Sequence, residues 1–90
     1  MEDFGSTQLF TFETDPATVR DVLEEVCAAM NDKGYNPVNQ IVGYIMSGDP
    51  TYVTSHMGAR NKIMKVERDE IVEELLNAYI KSNGWNGDQQ

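Results

Sequence analysis

The 90-residue sequence contains one cysteine, one histidine and one tryptophan, and its 7 basic residues are outnumbered by 15 acidic ones. A single cysteine cannot form an intramolecular disulfide, and it cannot supply the several thiolates of a structural zinc site. No apolar run approaches the roughly 18 residues that span a bilayer. The chain starts with the acidic residues Glu2 and Asp3, whereas a secretory signal peptide starts with basic ones. These absences predict a cytoplasmic protein without membrane insertion.

The composition is that of one small folded domain. Hydrophobic residues make up 40% and charged residues 24% of the sequence, close to the globular average, and 90 residues leave room for one core. The net charge of −8 disfavours nucleic-acid binding, because phosphates attract a net basic surface. Residues 60–68 are the exception with a charge of +3, which leaves −11 for the remainder; their bases are Arg60, Lys62, Lys65 and Arg68. This polarity favours pairing within the chain or between subunits.

The first predicted helix begins at Asp15-Pro16, where a capping residue precedes proline at the first helical position. Its apolar residues recur with a 3.6-residue period and are Val19, Val22, Leu23, Val26, Cys27 and Met30. Lys33 places a cation at the negative end of the helix dipole, and Gly34 suits the left-handed conformation that ends a helix. The pattern therefore predicts one amphipathic helix from residue 15 to about residue 33.

A second, shorter helix is predicted from Asn36-Pro37, another capping residue followed by proline, to Gly48. Its apolar positions are Val38, Ile41, Val42, Ile45 and Met46. The two helices form a helix-turn-helix-like pair by pattern. Gly43 inside the second helix costs roughly 1 kcal/mol relative to alanine, which suggests that another backbone, such as that of a second subunit, packs closely against it.

The second half of the chain is also predicted to be helical. Residues 49–54 suit either a single turn or an extended connector, because Asp49-Pro50 resembles a helix start but β-branched and aromatic residues follow it. Two apolar stripes, one ending at Val66 and one starting at Ile71, differ in phase. They predict two helices that meet near residues 68–70 with Asp69 as the N-cap, or one bent helix.

The predicted fold is therefore an all-α bundle of about four helices, with no segment that demands a sheet. Residues 1–14 are predicted to form a flexible N-terminal tail, residues 15–83 one helical domain, and residues 84–90 a frayed C-terminus. Two alternatives concern the ends: Leu9, Phe10 and Phe12 could form a short extended segment docked on the domain, and Trp85 could fold back onto the last helix. Such a small chain would gain stability by burying apolar surface in a homodimer.

The sequence offers little catalytic chemistry. Cys27 lies on an apolar stripe, where burial raises the pKa of a thiol and makes it unreactive. His56 is either a pH-sensitive or partner-contacting group, or a cap or a surface histidine with its own partner. The GYIMSG segment lacks the Gly-Lys-Ser/Thr ending of a phosphate loop, and residues 37–47 contain none of the basic residues of a DNA-reading helix. No cofactor and no metal site is predicted.

The run KGYNPVNQIVGYIMSGDPTYVTSH, followed by AR, ERDEIVEELL and YIK, closely resembles the IreB-like regulatory phosphoprotein family of Gram-positive bacteria. The resemblance extends from about Thr7 to Lys81. It implies a small, cytoplasmic, non-enzymatic helical homodimer that acts downstream of a membrane Ser/Thr kinase in the response to cell-envelope stress. The implied partners are a second copy, the kinase, its cognate phosphatase and an unknown downstream protein.

The resemblance also implies a phosphorylation site in the N-terminal tail. The family's tail motif falls on Thr7-Gln8-Leu9-Phe10, although Gln8 and Leu9 stand where the family has methionine and a base. Thr7 is therefore the first candidate and Thr11 the second. A phosphate adds close to two negative charges, which either repel the acidic body or bind the basic residues 60–68. The two outcomes would be opposite switches.

The predicted dimer or partner surface consists of Tyr35, Asn36, Gln40, Gly43, Tyr44, Tyr52, His56, Arg60 and Arg68. The leading hypothesis is a regulatory dimer controlled by phosphorylation of its tail. Two alternatives remain, a helix-turn-helix-like nucleic-acid-binding protein that uses the basic residues 60–68, and a small enzyme centred on His56.

Overall fold

The computed structural model describes residues 16–87. They form four α-helices, α1 (Pro16–Asp32), α2 (Pro37–Ser47), α3 (Ala59–Ile63) and α4 (Arg68–Ser82), and two short 3₁₀ helices at Pro50–Tyr52 and His56–Gly58. No strand occurs within this range, which confirms the all-helical prediction. The predicted tail, with Thr7 and Thr11, and the last three residues of the chain lie outside it.

One side of α1 supplies much of the core. Val26 and Met30 are fully buried, and the core residues of this helix are Val19, Leu23, Val26, Ala29 and Met30. Val22 and Cys27 are partly buried and pack against the same cluster. Helices α2, α3 and α4 all contact α1. The predicted apolar stripe of this helix is therefore confirmed as the side that faces the other helices.

The predicted signals at the α1–α2 turn are also confirmed. Gly34 adopts a left-handed conformation with φ 78°, and the backbone N–H of Tyr35 donates to the carbonyl of Met30. This is the glycine-ended C-terminus expected from the sequence. The Asn36 side chain caps α2 by accepting from the backbone N–H of Asn39, at 3.1 Å.

The connection from α2 to α3 is a series of tight turns. Asp49 caps the first 3₁₀ helix by accepting from the backbone N–H of Thr51. Of the two alternatives predicted for residues 49–54, a single turn or an extended connector, the structure shows the single turn. Before α3, Met57 has a left-handed conformation with φ 53° and ψ 26°. A side chain in this region of the backbone map is strained, because its Cβ approaches the neighbouring carbonyl oxygen.

The start of α4 corrects one prediction. The N-cap is Glu67, two residues before Asp69, and Asp69 lies in the first turn. Glu67 accepts from the backbone N–H of Glu70, and the Glu70 side chain accepts in return from the backbone N–H of Glu67, at 3.1 Å. This reciprocal capping box satisfies two backbone donors, and buried Val66 and Ile71 flank it at the positions of a hydrophobic staple. Packing thus selects Glu67 although aspartate is the commoner cap.

Two side-chain pairs show that the segment leading to α4 runs antiparallel to α1. His56 pairs with Asp32 at the end of α1, and Lys62 pairs with Glu25, about two turns earlier in that helix. The chain that continues from Lys62 therefore heads toward the first turns of α1, and α4 begins near that end.

Gly43 faces the first 3₁₀ helix of its own chain. A Cβ atom at this position would overlap the aromatic ring of Tyr52. Glycine thus lets the Tyr52 ring lie directly on the α2 backbone. The sequence predicted a close neighbour of Gly43 and suggested a backbone, such as that of a second subunit. Within the described chain this neighbour is the Tyr52 ring.

We expect Met57→Gly to raise the free energy of unfolding by about 0.5–1 kcal/mol, because glycine removes the left-handed strain while losing some backbone entropy. Met64→Gly is the matched control, since Met64 is also exposed but right-handed with φ −72°. The control should lose up to about 1 kcal/mol. Urea unfolding of both variants measures the difference, and equal losses would contradict the strain at Met57.

We expect Gly43→Ala to lower the free energy of unfolding by about 1–3 kcal/mol, because the added methyl group must displace the Tyr52 ring. In a Tyr52→Ala background the same change should be neutral or stabilising, since alanine is then only a better helix former. Urea unfolding of the four chains gives the coupling between the two sites. A loss of the same size in both backgrounds would show that the ring is not the obstacle.

Candidate functional site

An apolar stripe runs along α4 and has no covering element within residues 16–87. It consists of Val72, Leu75, Leu76 and Tyr79, which are all exposed, and it is called the α4 stripe below. Leu76 is 54% and Tyr79 59% exposed. The spacing of i, i+3, i+4 and i+7 is that of a helix face built to pack against a partner. Ile71 is the one fully buried residue of this helix.

The C-terminal end of the α4 stripe is aromatic. Trp85 follows the left-handed Gly84, and its backbone N–H donates to the carbonyl of Ile80. This hydrogen bond folds the chain back so that the Trp85 ring meets Tyr79 edge to face, with ring centres 5.7 Å apart. Trp85 thus folds back onto α4, the alternative that the sequence allowed at this end. Tyrosine and tryptophan are the residue types most enriched where proteins bind proteins.

The N-terminal end of the stripe opens into a groove between α2 and α4. This α2–α4 groove has a volume of about 460 Å³ and is lined by Ile45, Glu67, Arg68, Asp69 and Val72. Ile45 and Val72 give it two apolar walls from different helices. Glu67 and Asp69 place two carboxylates against one guanidinium, so the lining is net acidic.

Arg68 spans this groove and ties α4 to α2. Its guanidinium donates to the backbone carbonyl of Ile45 at 2.9 Å and lies against Gly48, where a Cβ would come within 2.9 Å of it. Gly48 itself is left-handed with φ 75° and ends α2. A cation at this place satisfies a carbonyl in the last turn of a helix and complements the dipole.

The other bases of residues 60–68 are largely engaged within the chain. Arg60 donates through Nε to the carbonyl of Val53 at 2.8 Å, and Lys62 forms an ion pair with Glu25 at 3.2 Å. Lys65 is exposed and has no ion pair among residues 16–87. Three of these four bases therefore make contacts within the chain, one of the two kinds of pairing that the sequence favoured.

His56 is also engaged within the chain. Its Nε2 lies 2.7 Å from a carboxylate oxygen of Asp32, so the ring joins the second 3₁₀ helix to the end of α1. Its backbone N–H donates to the side-chain hydroxyl of Thr54. This arrangement matches the histidine with its own surface partner that the sequence allowed.

The remaining residues of the predicted partner surface differ in their burial and in their hydrogen-bond partners. Tyr35 and Tyr52 are exposed, and Tyr44 is buried in the core. The Gln40 side chain accepts from the backbone N–H of Thr54 at 3.0 Å. The structure brings several of these residues together, but around the 49–54 turn of the same chain. Whether they also meet a second copy stays a prediction.

The described residues hold few groups with altered acid–base chemistry. Burial raises the pKa of the Cys27 thiol, so the thiolate is disfavoured there as expected from its stripe position. The Thr51 hydroxyl and backbone N–H, which donate to the Asp49 carboxylate, lower the pKa of Asp49. That carboxylate is fully exposed and acts as a turn cap. Within residues 16–87, no three metal-ligating side chains lie together, and no helix is long and apolar enough to cross a membrane.

Sequence reasoning identified every member of the α4 stripe as apolar and periodic but did not identify its exposure. Periodicity shows that a helix has an apolar face, and it does not show which element covers that face. The acidic residues of α4 show that its other side faces water, but this is equally true of a helix whose apolar side is covered, so the sequence carries no signal for the exposure of the stripe.

Comparison with known proteins agrees with the resemblance drawn from the residues. The family model described as IreB regulatory phosphoprotein matches residues 5–81. A UPF0297 protein of Lachnoclostridium phytofermentans is 57% identical over 84 residues, which cover 92% of this chain and 96% of that relative. A UPF0297 protein of Acetivibrio thermocellus is 53% identical over 78 residues, 86% of this chain and 87% of the relative. On this evidence the chain belongs to the IreB regulatory phosphoprotein family.

Proposed function

We propose that this chain is a non-enzymatic cytoplasmic regulator that a membrane Ser/Thr kinase phosphorylates on its N-terminal tail to control the response to cell-envelope stress. Thr7 is the first candidate for the phosphorylated residue and Thr11 the second. The cognate phosphatase reverses the modification, and a downstream protein reads it. Membership of a regulatory phosphoprotein family supports this function.

The α4 stripe is the observation that carries the proposal. A regulator without an active site works by contact, and this stripe is an apolar helix face with an aromatic end and no cover within residues 16–87. The net charge of −8 argues against the nucleic-acid alternative, and the intrachain contacts of Arg60, Lys62 and Arg68 restrict how these side chains could reach a phosphate. The His56 ring pairs with the Asp32 carboxylate, and among the described residues no hydroxyl or thiol is hydrogen-bonded to the ring, which weakens the enzyme alternative.

We expect the kinase domain of the producing organism to add phosphate to the native chain within residues 1–15. The Thr7→Ala variant should lose most of the modification, and Thr7→Ala/Thr11→Ala should lose all of it. Intact mass and site mapping after incubation with ATP and Mg²⁺ measure this. Thr18→Ala, which removes an exposed hydroxyl in α1, is the matched control and should be modified like the native chain. Full modification of the double variant would contradict a tail switch.

We further propose that the chain is a homodimer and that the α4 stripe is where the second copy packs. An isolated helix of this length is marginally stable in water, and α4 buries only Ile71 fully in its own chain. Two α4 stripes packed across a twofold axis would cover Leu75, Leu76 and Tyr79 on both copies. The flanking carboxylates stay in water in this arrangement.

We expect Leu76→Lys to convert the dimer to a monomer, because the ammonium group would be desolvated at the centre of the interface. Light scattering over a concentration series gives the mass. Val38→Lys is the matched control, since Val38 is 67% exposed at the start of α2, away from the stripe. It should leave the dimer unchanged. A Leu76→Lys chain that remains dimeric, or a control that dissociates, would refute this interface.

A further inference from the structure

The α2–α4 groove lies near the place where the chain enters the helical body. The antiparallel course from His56 to Lys62 along α1 brings the first turn of α4 toward the start of α1. Arg68 in that turn holds the last turn of α2 through the Ile45 carbonyl. The first turn of α4 and the last turn of α2 therefore meet here, and residues 1–15 join the body at the start of α1, the helix along which this segment runs.

The sequence that precedes α1 carries apolar side chains suited to this groove. Residues 4–12, FGSTQLFTF, include no charged residue and contain Leu9, Phe10 and Phe12. An extended chain spans at most about 3.6 Å per residue, so Phe12 lies within about 14 Å of Pro16 and Phe10 within about 22 Å. Both rings are therefore in reach of a groove at this end of α1. The groove's apolar walls, Ile45 and Val72, offer them contact surface.

The charges of the groove set how a phosphate would act there. Glu67 and Asp69 are the carboxylates of its lining and Arg68 is its one cation, so the lining is net negative even though the guanidinium keeps its charge when it donates to the Ile45 carbonyl. An uncharged segment meets no repulsion in this place. A phosphate on Thr11, between Phe10 and Phe12, would bring about −1.5 to −2 charges next to two carboxylates. The same site thus suits the unmodified segment and disfavours the phosphorylated one.

We propose that residues 9–12 dock in the α2–α4 groove of their own chain through Phe10 and Phe12, and that a phosphate on Thr11 expels them. The inference rests on the proposed function, because it gives a role to phosphorylation of the tail. Release of the segment uncovers Val72 and the groove for the downstream protein. The occupant is a segment of this chain, and the second copy lies farther along α4.

The first test compares amide chemical shifts of the full-length chain and of Phe10→Ser/Phe12→Ser. We expect shift changes at Ile45 and at residues 67–72, with the rest of the body unchanged, because the proposal places the two rings in the groove and nowhere else. Phe4→Ser is the matched control and should leave those amides where they are. If the double variant changes none of them, or the control changes them equally, the docked segment is refuted.

The second test supplies the segment in trans. A synthetic peptide of residues 6–14 added to the Phe10→Ser/Phe12→Ser chain should restore the native shifts at residues 67–72. The same peptide with phosphothreonine at Thr11 should bind at least about tenfold more weakly. Equal or tighter binding of the phosphopeptide would overturn the expulsion and make Arg68 an anion receptor.

Concentration separates this proposal from a second copy in the groove. If the shifts at residues 67–72 follow protein concentration and ignore Phe10 and Phe12, the groove belongs to an interface between copies, and the inference is wrong. The peptide assay uses no kinase. A failed kinase reaction would therefore count against the proposed function alone, and a failed peptide titration against docking alone.

Discussion

The burial of one side of α1 is the constraint on which the rest of the structure depends. Val26 and Met30 are completely covered, and α2, α3, α4 and the second 3₁₀ helix all contact this helix. The five residues of α3 are too few to form a stable helix alone, so their structure follows from packing against α1. The apolar face of α1 is largely covered by its own chain, whereas that of α4 is not covered within residues 16–87. This difference points to α4 as the surface for partners.

Polar side chains complete the body by satisfying backbone groups at turns. Arg60 holds the Val53 carbonyl, Arg68 the Ile45 carbonyl, and Gln40 the backbone N–H of Thr54. Each contact replaces water on a backbone group that has no partner in a helix. Three of the seven cations, Arg60, Lys62 and Arg68, thus fix contacts within the chain. Acidic residues outnumber basic ones by 15 to 7, so a phosphate on the tail would meet mostly negative charge.

The elements with local signals were predictable from the sequence. The ends of α1 and α2 follow from Gly34, Asn36 and Gly48, whose backbone conformations and caps need only their neighbours in the chain. The cap of α4 was placed at Asp69 instead of Glu67, because the choice depends on buried Val66 and Ile71. The neighbour of Gly43 and the exposure of the α4 stripe could not be predicted from the sequence, for the same reason. Both depend on contacts between residues distant in the sequence.

We propose that phosphorylation of the tail changes which surfaces of the helical body are exposed to its partners. An amide spectrum of the full-length chain with and without a phosphate on Thr11 addresses this in one experiment. The account predicts shift changes at Ile45 and residues 67–72 in addition to those beside the phosphorylated threonine, with the core amides of α1 unmoved. A phosphorylated chain whose body amides are all unchanged would contradict it.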